Sequence, residues 1–200
     1  MTSVHPAPET LAGYASGAMK TGARLVLGVH LQACPACRRE VERLEMIGGA
    51  LLASEPAAGL TPNALDRALA AIERPDREEP KRMTLADMTR GVWLPIGVGA
   101  ALKPLPKVAD PGERLFLIRA ESGRHLPEHG HTDMERLVVI AGAFEDDQGR
   151  YGPGDLVERG PDDRHRPLAY GGETCVCLSA SDGPIKLTGL ARLAQIFLRV

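Results

Sequence analysis

The sequence predicts a two-domain α + β protein, in which a small bundle of four helices precedes a jelly-roll β-barrel. Apolar residues recur at helical spacing through 1–75, whereas short apolar runs separated by Gly, Pro and Asp turns follow later in the chain. Between them, the run from Arg74 to Arg82 is charged, contains two prolines and has no apolar residue. Such a segment cannot bury a core. We therefore expect a helical domain at 1–75, a linker at 76–84 and a barrel domain at 85–200.

The predicted helices are short and amphipathic. Proline is tolerated in the first turn of a helix because the N–H that it lacks would be unpaired there. Pro35 therefore favours a helix start, and Thr61-Pro62 is a similar signal. The predicted helices run from Pro8 to Met19, from Gly22 to Ala33, from Pro35 to about Ser54, and onward from Thr61.

After the linker, several short apolar runs indicate strands. Continuous runs of this length between turn residues are typical of a sandwich or barrel. The clearest are Leu115–Ile118, Leu137–Ile140 and Cys175–Leu178, whereas the last stretch, from Leu190 to Val200, is ambiguous between helix and strand.

Composition and charge exclude several classes of function. The formal net charge is −2 and the sequence pI is about 6.3, so nothing drives direct binding of nucleic acid. No apolar run approaches the length that spans a bilayer, and the N-terminus lacks the pattern of a signal peptide. We expect a cytoplasmic protein that binds no membrane.

The first chemical motif is His30-x3-Cys34-x2-Cys37, at the end of the second predicted helix and the start of the third. Three such ligands converging from a helix end and a tight turn suit tetrahedral Zn²⁺. His5, the other histidine of this part, is the natural fourth ligand, although it could belong to a loose tail. The cysteines could instead form a redox dithiol, but that interpretation expects a βαβ context, which a helical region does not provide.

The second motif is Gly123-x5-His129-x-His131-x3-Glu135-x6-Gly142, followed later by His165. Alternate residues of a strand share a face, so both imidazoles of His-x-His point the same way. Its spacings fit the first sequence motif of the cupin barrel. His129, His131, Glu135 and His165 would bind Zn, Mn, Fe or Ni, since ligand type alone does not choose among them.

Cys175 and Cys177 lie two residues apart and are expected on one face of a strand. Free cysteine is often a small buried apolar residue, which is the slightly favoured interpretation. The alternative is a redox-sensitive pair near the mouth of the barrel, where oxidation to sulfenic acid would need an exposed thiolate.

A helical domain with an early histidine and His-x3-Cys-x2-Cys resembles the zinc-binding anti-sigma domain, on His5, His30, Cys34 and Cys37. With a cupin domain behind it, nearly the whole chain resembles ChrR-type anti-sigma factors. The resemblance implies a 1:1 complex that silences an extracytoplasmic-function (group IV) sigma factor. It also implies a cupin that mediates release in response to singlet oxygen or organic hydroperoxides.

Within the helical domain, the fourth helix is a candidate for clamping the sigma factor. Its Leu65, Leu69 and Ile72 recur at i, i+4 and i+7 and could face the partner or the helical core. The leading hypothesis is a regulator rather than an enzyme. The rivals are a metal-dependent cupin enzyme, a dioxygenase or isomerase with a helical appendage, and a zinc-stabilised scaffold without a sensing role.

Overall fold

The computed structural model describes residues 2–73 and 85–187. Helices come first and strands follow, which confirms the predicted fold class. The third helix has the predicted bounds, whereas the first is shorter because the chain turns at Gly17, where φ is 74°. A fifth short helix was not predicted. The helices are α1 (Pro8–Ala15), α2 (Thr21–Ala33), α3 (Pro35–Ser54), α4 (Ala64–Ile72) and α5 (Leu85–Thr89).

Two predicted segments lie outside the described residues: the linker at 76–84 and the ambiguous stretch from 190 to 200. The domain boundaries therefore stay a prediction. Among the described residues, no helix is both long enough and apolar enough to cross a bilayer.

The β part builds a barrel-like sandwich from antiparallel strands. A six-stranded sheet has the order β1-β2-β3-β11-β5-β8, and two three-stranded sheets, β10-β6-β7 and β12-β4-β9, lie across a cavity from it. The strands are β1 (Leu94–Gly97), β2 (Ala100–Pro104), β3 (Arg114–Ala120), β4 (His129–His131), β5 (Glu135–Ala141), β6 (Ala143–Asp146), β7 (Gly149–Tyr151), β8 (Leu156–Arg159), β9 (Arg164–His165), β10 (Leu168–Tyr170), β11 (Cys175–Ser181) and β12 (Ile185–Leu187).

The six-stranded sheet is buried on both faces. On β5, Leu137 and Val139 face the interior of the sandwich, whereas Val138 between them belongs to a second core on the outer face. That outer core contains Val26 and Leu27 of α2, both with no exposed area. A sheet covered on both faces needs continuous apolar runs rather than alternation, which explains the composition of its strands.

The helical part therefore docks onto the barrel instead of standing apart. Glu113, which precedes β3, stabilises the contact between α2 and the barrel. Its buried carboxylate accepts hydrogen bonds from the backbone N–H groups of Gly22 and Ala23 in the first turn of α2, both at 2.8 Å. A carboxylate at this position also complements the positive end of the helix dipole. The approach is so close that a Cβ on Gly22 would lie 2.7 Å from a carboxylate oxygen of Glu113.

Replacing Glu113 by Ala is expected to lower the free energy of unfolding by about 1.5–3 kcal/mol, the usual range for a hydrogen-bonded charge. Two buried N–H groups of α2 would lose their acceptor. Denaturant titration of the full chain measures the change. Glu40→Ala, which removes an exposed carboxylate paired with Arg43, is the matched control and should have a smaller effect. Equal effects would contradict the role given to Glu113.

The fourth helix does not join the helical core. No residue of α4 is buried, and Leu65, Leu69 and Ile72 are 67%, 49% and 80% exposed. The four predicted helices are present, but α4 leaves its apolar side chains exposed, so the alternative that these three side chains are core residues is wrong. The second half of α3 is similarly exposed to solvent, since Leu51 and Leu52 are 65% and 76% exposed.

Candidate metal centres

The structure brings His5, His30, Cys34 and Cys37 together. One potential ligand atom from each lies within 4.8 Å of all the others. His30 occupies the last turn of α2, and Cys34 separates α2 from α3. His5, in the segment before α1, places Nδ1 3.4 Å from the sulfur atoms of both cysteines. Two nitrogens and two sulfurs at this spacing are a set that tetrahedral Zn²⁺ prefers.

The protonation state of His30 suits a ligand. Its Nδ1 lies 2.7 Å from the carbonyl oxygen of Gly154, and a carbonyl can only accept, so Nδ1 carries the proton. Nε2 then presents a lone pair, yet it is buried without a hydrogen-bond partner. Burial lowers the pKa of His30, which keeps the ring neutral. A buried, unpartnered lone pair beside two thiols fits a metal ion.

The cysteine thiols differ in acidity. Burial works to raise the pKa of Cys34, but hydrogen bonds from Thr2 and from the Cys37 backbone and thiol outweigh it and lower the pKa to about 7. Burial and the neighbouring Cys34 raise the pKa of Cys37 to about 12. The Cys34 thiol therefore ionises near neutral pH, as a metal ligand requires. The Cys37 thiol would lose its proton only when a bound cation stabilises the thiolate.

The second cluster lies in the barrel. His129 and His131 stand on β4, Glu135 begins β5, and His165 ends β9, which pairs with β4 opposite His129. One potential ligand atom from each again lies within 4.8 Å of the others. His131, Glu135 and His165 are buried, and His129 is half-buried. The turn after β5 uses Gly142 at a φ of 65°, where a Cβ would lie 2.6 Å from the carbonyl oxygen of Thr174.

The hydrogen bonds of the barrel histidines leave ring nitrogens that could bind a cation. Nδ1 of His129 donates to the carbonyl of Pro127 at 2.8 Å, and Nδ1 of His165 donates to the carboxylate of Asp146 at 3.0 Å. In neutral rings both Nε2 atoms then carry lone pairs, and these two atoms lie 3.0 Å apart. Two lone pairs at that distance repel unless a positive charge lies between them. Both ring nitrogens of His131 are also buried without a hydrogen-bond partner, and its Nε2 lies 3.4 Å from the carboxylate of Glu135.

The charge state of this cluster agrees with metal binding. Burial lowers the pKa of His129 to about 4 and also lowers that of His131. Burial works to raise the pKa of Glu135, but His131, His129 and a hydrogen bond from Ser179 outweigh it and lower the pKa. At neutral pH His129 and His131 are therefore neutral and Glu135 is a carboxylate, the protonation states in which these groups bind metal.

Several residues that form hydrogen bonds with the candidate ligands were not predicted from the sequence. Asp146 holds His165, and Arg159 in turn donates to Asp146 at 2.8 Å. Ser179 donates to Glu135 at 2.6 Å. Such partners orient the ligands of a metal site. Of these three, only Ser179 carried a sequence signal, since it follows Cys175 and Cys177 at the two-residue spacing of one strand face.

Cys175 and Cys177 line an apolar cavity of about 30 Å³ that also touches His129, Glu135 and His165. Both thiols are buried and free, with their sulfur atoms 3.6 Å apart. The hydrogen bond between them lowers the pKa of Cys175 and raises that of Cys177. The pair thus lies beside the barrel cluster, within the barrel rather than at its surface.

The fold and the two clusters define a class: a cupin barrel with a candidate metal centre, onto which a small helical unit with its own Cys/His cluster docks. A family model described as the ChrR cupin-like domain matches residues 81–184. The anti-sigma-E factor ChrR of Cereibacter sphaeroides is 30% identical over 210 residues, covering 98% of each chain. The chain therefore belongs to the ChrR family.

Structural comparison agrees with the sequence match. The crystal structure of Rhodobacter sphaeroides SigE in complex with the anti-sigma ChrR aligns with a TM-score of 0.78 and 28% sequence identity. The alignment covers 90% of this chain and 99% of that chain, so the likeness includes the helical part as well as the barrel.

Proposed function

We propose that this protein is an anti-sigma factor. In this proposal, residues 1–75 bind an extracytoplasmic-function sigma factor in a 1:1 complex and keep it from RNA polymerase. Residues 85–200, joined through the linker at 76–84, form the cupin sensor that promotes release. The proposed place of action is the cytoplasm, where sigma factors meet the polymerase.

The observation that carries the proposal is the exposed apolar surface of the helical part. Apolar side chains of α4 and of the second half of α3 are exposed to solvent in the described part of the chain. They are Met46, Ile47, Leu51, Leu52, Leu65, Leu69 and Ile72, between 45% and 80% exposed. Seven exposed apolar side chains on two helices point to a protein-binding surface. The full-length similarity to a ChrR that was crystallised with SigE supports a sigma factor as the partner.

Metal binding at both clusters is part of the proposal. His5, His30, Cys34 and Cys37 would hold Zn²⁺ in a closed, four-ligand site of the structural kind. His129, His131, Glu135 and His165 would hold Zn²⁺ or another divalent transition metal, since nitrogen and oxygen ligands admit several. When bound, the barrel metal would supply Lewis acidity beside the cavity.

Release in response to singlet oxygen or organic hydroperoxides completes the proposal. Histidine side chains and thiols are oxidisable, and the barrel places His129 and His165 next to the Cys175–Cys177 pair around one cavity. An oxidant that alters this cluster acts on the sigma factor only if it changes the free energy of the complex.

The cavity, at about 30 Å³, is far smaller than enzyme pockets, so a regulator is favoured over the enzyme alternative.

The test is transcription in vitro with the full-length chain. We expect it to co-purify in equimolar amount with an extracytoplasmic-function sigma factor of the same organism and to abolish transcription directed by that factor. Photosensitised singlet oxygen or an organic hydroperoxide should restore transcription in the wild type, and His131→Ala should not respond. Undiminished transcription at excess protein would overturn the anti-sigma assignment. Normal induction in His131→Ala would overturn the sensing role alone.

A further inference from the structure

A turn of the barrel, residues 152–155, contacts the helical ligand cluster from outside. Its Gly154 carbonyl is the group that accepts the 2.7 Å hydrogen bond from Nδ1 of His30. Among the described contacts of His30, no side chain of the helical part accepts a hydrogen bond from Nδ1. The barrel backbone therefore sets the tautomer and the orientation of a ring that belongs to the other part of the chain.

The same turn also holds the segment that carries His5. The carboxylate of Asp155 accepts hydrogen bonds from the backbone N–H groups of Ser3 and Val4, at 2.6 and 3.0 Å. The N–H of Leu156 donates in return to the carbonyl of Val4 at 3.2 Å. The residue before His5 is thus fixed on the barrel by two backbone contacts.

The fit leaves no space for a larger residue at the centre of the turn. A Cβ on Gly154 would lie 2.6 Å from the methyl group of Thr2 and 2.8 Å from that of Ala33, and φ there is +89°. Ala33 ends α2, one residue before Cys34. The glycine therefore permits the helical cluster and the barrel turn to meet at van der Waals distance.

We propose that the 152–155 turn is the outer shell of the helical metal site, so that docking of the barrel raises the metal affinity of that site. The inference rests on the proposed function, because it takes the helical cluster to be a metal site. Outer-shell partners keep ligands in the binding orientation, and losing one typically costs about 10- to 100-fold in metal affinity. By linkage, metal in the helical site stabilises docking by the same factor.

The turn also leads directly to the other cluster. Strand β8 begins next to it, at Leu156, and ends at Arg159, whose guanidinium donates to Asp146, the partner of His165. The four-residue strand β8 thus connects the turn that contacts His30 with Arg159, which holds the partner of His165. A rearrangement of the barrel cluster that shifts β8 would loosen the hold on His30 and weaken metal binding in the helical part.

The experiment compares metal affinity in full-length Gly154→Ala and wild type. Zinc is titrated against a chromophoric chelator, and Co²⁺ substitution identifies the helical site by its thiolate-to-cobalt absorption, which the sulfur-free barrel set cannot produce. We expect the affinity of the helical site to fall about 10- to 100-fold while the barrel site loads as in the wild type. Gly171→Ala is the matched control, since its φ is +90° and no atom lies within 4 Å of an added Cβ.

A second variant covers the case in which Gly154→Ala does not fold. Asp155→Asn keeps the size of the side chain but removes the charge that binds the N–H groups of Ser3 and Val4. We expect a smaller loss of affinity in the same direction. Wild-type affinity in every folded variant would overturn the inference and leave the metal sites intact. A wild-type chain that binds no metal through thiolates would overturn the inference and the proposed zinc site together.

Discussion

Replacing Leu65, Leu69 and Ile72 by Ser is expected to weaken the sigma-factor complex at least about a hundredfold, which corresponds to roughly 2.7 kcal/mol. Apolar anchors at the centre of an interface often cost more than about 1 kcal/mol each when truncated. These three side chains are exposed on α4 and contact no core, so their removal should not destabilise the free protein. Calorimetric titration of the full chain with the sigma factor measures the dissociation constant.

Two barrel valines provide the matched control for this experiment. Val92 and Val98 are 77% and 76% exposed, as open to solvent as the α4 side chains, but they lie on the barrel. Val92→Ser combined with Val98→Ser should bind the sigma factor like the wild type. If the α4 variant also binds like the wild type, the clamp lies elsewhere on the helical part, with the exposed end of α3 as the next surface to test.

Local sequence features predicted most of the helices and strands, and they also predicted which His, Cys and Glu side chains lie together. The start of α3 follows from Pro35 at its first position and from the thiol of Cys34, which accepts the N–H of Cys37 at 3.4 Å. The histidine pair of β4 follows from strand alternation, and its partners from motif spacing. In each case the residues that decide the geometry are close in sequence or belong to a motif with fixed spacing.

The docking of the two parts could not be predicted in the same way. The run around Val138 is apolar on both strand faces, which indicates a covered sheet, but nothing in it says that α2 provides the cover. An amphipathic stripe specifies that a helix is buried, not against which element. The hydrogen bond from His30 to Gly154 is still harder to predict, because every residue has a backbone carbonyl and the sequence does not show which one accepts.

The proposed ligand role of the helical cysteines leads to the other large effect. Replacing Cys34 and Cys37 by Ser is expected to reduce bound metal from about two equivalents to about one, since the clusters are separate. Serine is a good N-cap, so the start of α3 should persist and the change should report on the metal. Structural zinc contributes about 10–16 kcal/mol of apparent binding free energy in small domains. The helical part should therefore loosen and lose the sigma factor.

Cys175→Ser combined with Cys177→Ser removes the same number of thiols and serves as the control. These sulfur atoms belong to neither cluster, so the variant should keep about two metal equivalents and bind the sigma factor as the wild type does. Elemental analysis of the purified chains, together with a binding titration, distinguishes the cases. Two equivalents retained in the Cys34/Cys37 variant would show that the helical cluster is not the metal site. One equivalent with undiminished sigma binding would show that the metal is dispensable for the interface, and the exposed faces of α3 and α4 would then suffice.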